Sequence, residues 1–99
     1  MILARVVGQI WSTRKEETLR GIKFLVIQPI NLTFNPDGGV KGIHNFGNTM
    51  IAGDKIGAGE GEIVMVATGS SARQAEGDTH LPIDANIVGI VDSEMFKNE

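Results

Sequence analysis

The stretch Gly57-Ala58-Gly59-Glu60-Gly61 is where residue types and spacing first suggest chemistry. Closely spaced glycines let backbone N–H groups converge on an anion such as a phosphate. The details count against that use. No Gly-Lys-Ser/Thr ending follows, the glycine spacing of a dinucleotide loop is missing, and Glu60 and Glu62 would repel phosphate. The segment after the loop reads as a strand, so no helix N-terminus is at hand. A tight glycine turn between strands, or a loop packed close to symmetry mates, is the expectation. His44 and His80 lie in polar sequence expected to be loop, and lack the convergent ligand set that a metal needs; solvated histidines are expected. Ser70-Ser71-Ala72-Arg73 has no nucleophile elbow around it and no local His or Asp pattern for a triad. Asp54, Asp84 and Asp92 stand at expected strand ends, where Asp bonds nearby backbone N–H groups. Arg14-Lys15 followed by Glu16-Glu17 reads as a solvated, charged turn. Trp11, flanked by polar residues on the mixed face of a strand, suits either a core or an interface anchor. The expectation is therefore no catalytic residue, no metal ligand and no cofactor.

The elements that carry these residues are strands. The 99-residue chain is 41% hydrophobic and 21% charged, a globular balance, and its length suits one domain over residues 1–99. Ile and Val number 20 against 5 Leu, and branching at Cβ favours a pleated surface over a helix. With no cysteine, a disulfide framework and any thiolate site are excluded. A net charge of −3 argues against a general nucleic-acid binder, since a phosphate backbone rewards clustered Lys and Arg. No apolar run approaches the length of a membrane helix, and no basic leader with a long apolar run opens the chain. No nucleic acid and no membrane are expected as partners of this small, soluble, mildly acidic domain.

Alternation predicts a strand over residues 2–13, with Ile2, Ala4, Val6 and Ile10 on one face and Leu3, Arg5, Val7, Gln9 and Trp11 on the other. A second strand is expected over 22–30, with Pro29 at its end or on an edge. Residues 31–48 read as a long loop with room for a short hairpin, because Asn and Gly recur there. Further strands are expected over 49–54, 62–68 and 86–92, one short helix over Ser70–Glu76, and a tail from Ser93. The strands at 22–30, 62–68 and 86–92 are apolar on both faces: Phe24 and Val26 against Leu25 and Ile27, and Val64 and Val66 against Ile63 and Met65. One face fills a small interior and the other needs a cover, which predicts a neighbouring subunit.

Several blocks, in order along nearly the whole chain, resemble the EutN/CcmL family of bacterial microcompartment vertex proteins. They are Ala4-Arg-Val-Val-Gly8 with Ser12-Thr13 and Lys15, Leu19-Arg-Gly21 into Lys23-Phe-Leu-Val26, and Ala52-Gly-Asp54 into Ile56-Gly-Ala-Gly-Glu-Gly-Glu62. Val64-Met-Val66, Gly69-Ser-Ser-Ala-Arg73, Pro82-Ile-Asp-Ala85 and Ile87-Val-Gly-Ile-Val-Asp92 continue the series. At Gly53 the chain departs from the bulky apolar residue usual in the family, which predicts a weaker or bulged strand there. The resemblance implies an all-β fold, a small five-stranded OB-like barrel with one short helix. It implies assembly into a ring, a homopentamer with a hexamer as the alternative, that caps the corners of a cytoplasmic polyhedral shell tiled by hexameric shell proteins.

Such a ring gives the glycine loop a second reading. Copies of a loop meeting at a fivefold axis must approach closely, so Gly57, Ala58, Gly59, Glu60 and Gly61 are axis or pore candidates. Ser70, Ser71, Arg73 and Asp84, together with Trp11, are candidates for the subunit interface. An OB-like barrel hosts many functions, so two rivals stand beside the vertex role. An OB-type binder of single-stranded nucleic acid or a small ligand would want a basic groove with exposed aromatics, and the chain has no Tyr and 1 Trp. A small enzyme would want a convergent acid, base or nucleophile.

Overall fold

The structure is a computed structural model. It describes residues 1–10, 21–69 and 84–96. Trp11, the helix expected over Ser70–Glu76 and His80 lie outside the described residues. Among the described residues there are six strands: β1 (Ile2–Ile10), β2 (Lys23–Phe34), β3 (Val40–Asn45), β4 (Met50–Asp54), β5 (Ile63–Thr68) and β6 (Ala85–Ile90). They order as β1-β5-β6-β4-β2-β3, and an additional β1–β2 pairing closes the first five into a barrel. That closure removes the open edges a small sheet would otherwise present. β3 stays outside the closed ring, as a hairpin partner of the far half of β2.

The interior is filled by one face of each barrel strand. Ala4, Val6, Leu25, Ile27, Ala52, Val64, Val66, Ala85 and Ile87 form the core cluster, joined by Ala58 from the glycine loop. Alternating large and small side chains fit the narrow interior of a small barrel. Each large one contributes roughly 1.5–3 kcal/mol by leaving water. The outward partners in β2, β5 and β6 include Phe24, Val26, Met65 and Val88, so these strands are apolar on both faces, as the alternation requires.

Several expectations change at the level of register. β1 does not keep one alternation: a bulge between Val6 and Gly8 shifts the pairing, so Gln9 faces Leu25 and Ile10 faces Phe24. Directly opposed residues share a face. Ile10 therefore lies on the outer face, 38% exposed, and not with Val6. Pro29 sits inside the 12-residue β2, opposite Ala4, and not at a strand end. Its carbonyl accepts from the N–H of Phe46 at 2.9 Å. In an extended strand the Pro29 nitrogen points the same way, to the seam where pairing passes from β4 (last pair Ile27–Met50) to β3 (first pair Ile30–Asn45). No ladder bond is lost there.

Residues 31–48 are mostly hairpin and not loop. β2 runs on to Phe34, and the turn at Asn35–Gly39 returns the chain into β3, with Gly38 at φ +93° and its N–H donating to Asn35 O at 2.9 Å. The Asp37 carboxylate accepts from Gly39 N–H at 2.9 Å, the local bonding that makes Asp a turn residue. His44 consequently lies on a strand, exposed, 3.2 Å from the Thr33 hydroxyl. Gly53 brings neither bulge nor break, since β2–β4 pairing runs unshifted from Lys23–Asp54 to Ile27–Met50. The segment after β6 holds a short 3₁₀ turn, Ser93–Phe96, whose Glu94 N–H is capped by the Asp92 carboxylate at 2.9 Å.

Candidate functional site

The glycine loop closes one end of the barrel, between the last residue of β4 and the first of β5. Asp54, 2% exposed, aims its carboxylate back into this loop. It accepts from the N–H groups of Ile56 at 2.9 Å, Gly57 at 3.2 Å and Ala58 at 2.8 Å. Glu62 repeats the device, taking the Gly59 N–H on Oε1 at 2.7 Å. Two further bonds fasten the loop to β1: Gly61 N–H to Val6 O at 2.8 Å and Val6 N–H to Glu62 O at 2.9 Å. The Lys23 ammonium donates to Ala58 O at 3.3 Å. The amides that would cradle a phosphate are thus already bonded to carboxylates of the chain itself. This geometry gives the physical reason that the stretch is not an anion site.

The five residues of the loop do different work. Gly57 (φ +91°) and Gly61 (φ +87°) occupy the left-handed region that side chains disfavour. Gly59 does not, and a Cβ built there would meet only Glu62 Oε1 at an ordinary 3.5 Å. Ala58 is wholly buried in its own barrel core, so it cannot line an opening. Glu60 and Gly61 are exposed and Gly59 is half-buried. Of the interface candidates, Ser70, Ser71, Arg73 and Trp11 lie outside the described residues. Asp84 is exposed, and its carbonyl accepts from Gly69 N–H at 2.8 Å.

A second surface was only half visible in the alternation. Direct pairings place Ile30, Leu3, Met65 and Gly89 in one outward row across β2, β1, β5 and β6. At the hairpin end this row opens into a groove of about 320 Å³ lined also by Met1, Leu32, Phe34 and Phe46. At the β6 end a bulge presents Val88 beside Gly89, over which the Met65 side chain lies. Among the described residues no group of three or more His, Cys, Asp and Glu is placed to hold a metal, and no helix is long and apolar enough to cross a membrane.

A closed five-strand barrel with an attached hairpin, a self-capped glycine loop and an outward apolar band defines a β-barrel module of the kind that associates through its surface. Residues 1–92 match the family model described as ethanolamine utilisation protein EutN/carboxysome, and the chain belongs to this EutN/CcmL family. It is 45% identical over 93 residues, 94% of each chain, to the bacterial microcompartment shell vertex protein GrpN of Rhodospirillum rubrum. With the carboxysome shell vertex protein CcmL of Thermosynechococcus vestitus it shares 43% over 100 residues, covering 99% of this chain and 90% of that one. The solved GrpN pentameric microcompartment shell protein from Rhodospirillum rubrum superposes with a TM-score of 0.70 at 42% identity, covering 93% of this chain and 94% of that one.

Proposed function

We propose that this chain is a structural vertex protein of a bacterial microcompartment shell and works as a homopentamer. One observation carries the reading: nearly the whole chain aligns, at 42% identity, with a shell protein whose structure is pentameric. The role is architectural and not enzymatic. Rings of such subunits close the corners of the shell and meet hexameric shell proteins along their rims. The Gly57–Gly61 loop approaches the fivefold axis, with Gly59, Glu60 and Gly61 at the opening. Trp11, Ser70, Ser71, Arg73 and Asp84 belong to the subunit boundary.

Native mass spectrometry of the purified protein tests the reading. A dominant five-subunit species is expected. A monomer that shifts on addition of single-stranded DNA would overturn it in favour of a nucleic-acid-binding barrel.

A further inference from the structure

The glycine loop is held by two sets of bonds in unlike surroundings. Its root, Ile56 to Ala58, donates three N–H groups to Asp54, which is 2% exposed. Its tip is a four-residue turn over residues 59–62. Glu62 N–H returns to Gly59 O at 3.2 Å, and Gly61, at φ +87°, takes the third position, which in a type II turn asks for glycine. The far side of the turn is tied to β1 by Gly61 N–H to Val6 O at 2.8 Å. The near side is one peptide unit, Ala58–Gly59, gripped at both ends. The Lys23 ammonium donates to its carbonyl oxygen at 3.3 Å, and Glu62 Oε1 accepts from its N–H at 2.7 Å. Lys23 and Glu62 are both exposed.

We infer that Lys23 and Glu62 form a clasp on the Ala58–Gly59 peptide, and that its release frees the Gly59–Glu60 crest while the Asp54 root stays shut. A peptide unit is a dipole, so a cation on its oxygen and an anion on its N–H each strengthen the other's bond. The root is shielded from solvent, whereas the clasp faces water, which competes for its bonds, and salt, which screens its charges. Both side chains can let go without moving a strand. Lys23 stays paired in the ladder opposite Asp54, and Glu62 O keeps the Val6 N–H at 2.9 Å. A Cβ built on Gly59 would meet only Glu62 Oε1, at 3.5 Å, so the freed peptide has room to turn. Asp92 lines the same groove as Glu62, and its like charge favours release. On the axial placement proposed above, on which this consequence alone rests, the clasp sets where Glu60 stands at the opening.

Selective ¹⁵N-glycine labelling reads the root (Gly57), the crest (Gly59) and the β1 tie (Gly61) in one spectrum of the full chain. Amide hydrogen exchange at Gly59, relative to Gly57 and Gly61, should rise about tenfold in Glu62→Ala and about threefold in Lys23→Met. In the wild type the same ratio should grow several-fold between about 0.01 M and about 0.5 M salt. Glu62→Gln keeps the acceptor oxygen and removes the charge, so it should keep most of the protection and lose the salt response. Exchanging the charges, Lys23→Glu with Glu62→Lys, should leave Gly59 unprotected, because a carboxylate cannot donate to a carbonyl nor an ammonium accept from an N–H. A plain ion pair would survive that exchange. Three results overturn the inference: a Gly59 ratio unchanged in either single variant, protection restored by the charge exchange, or Gly57 and Gly61 quickening in step with Gly59. Native mass of the same samples reads the ring separately, and a wild type that forms no ring overturns the axial consequence and not the clasp.

Discussion

Asp54 does by itself much of what fixes the glycine loop. Its carboxylate accepts from three backbone N–H groups while almost wholly buried. Asp54→Ala strands those donors, and unmade bonds to a buried charged group cost about 2–4 kcal/mol in total. Urea unfolding should show a midpoint lowered accordingly, with Asp54→Asn milder because one acceptor oxygen remains. The glycines separate cleanly at this scale. Gly57→Ala meets the φ +91° backbone and should lose about 1 kcal/mol. Gly59→Ala should stay within about 0.5 kcal/mol, since neither backbone nor neighbours resist it. The bonding role of Asp54 was legible in the sequence, because Asp before a glycine turn has few better uses. Which glycine needed its conformation was not legible, since type and spacing do not report φ.

For the strands, periodicity identified nearly every element and misread what interrupts periodicity. β1 begins where expected, and β4, β5 and β6 fall within a few residues of their expected limits, because β-branched runs between glycine turns have few other solutions. The bulge at Val7 was invisible, as one inserted residue leaves a plausible alternation on either side of it. Its consequence is measurable: Val6→Ala should cost about 2 kcal/mol, and Ile10→Thr about 0.5 kcal/mol or less, in the thermal stability of the folded chain. Equal losses would place Ile10 back in the core. Asn and Gly in residues 31–48 signalled turns correctly, yet tertiary pairing with β2 made most of the segment strand. Pro29 misled for a similar reason, since the rule against proline concerns a missing N–H, and here the strand changes partner where that N–H would point. The outward apolar band was legible as two-faced strands, but joining Leu3, Met65 and Gly89 into one row required register, which a sequence does not carry.

Over the whole molecule, the proposed axial placement of the glycine loop can be tested apart from the stability of the barrel, because Gly59 is unstrained. Gly59→Leu should leave the melting of the barrel within about 1 kcal/mol of wild type while breaking or distorting the ring. Native mass and melting measured on the same sample decide it, and an unaltered ring would remove the loop from the axis. On the proposed placement of Arg73 at the subunit boundary, Arg73→Ala should weaken assembly, by about 3–5 kcal/mol for a desolvated pairing with a carboxylate and by ~1 or less for an exposed one. An unchanged subunit count by light scattering would assign Arg73 to the solvated surface. The barrel also has unlike ends. The glycine loop joins β4 to β5 beside the start of β2, whereas the hairpin leaves from the opposite end of β2. Copies related by rotation alone all point the same way, so the assembled ring is polar, and a shell that admits it in one sense displays every hairpin tip to the same compartment. A protease site inserted at Asn35–Gly39 would then answer as a single vote: in sealed shells treated from outside, all copies are cut or none is.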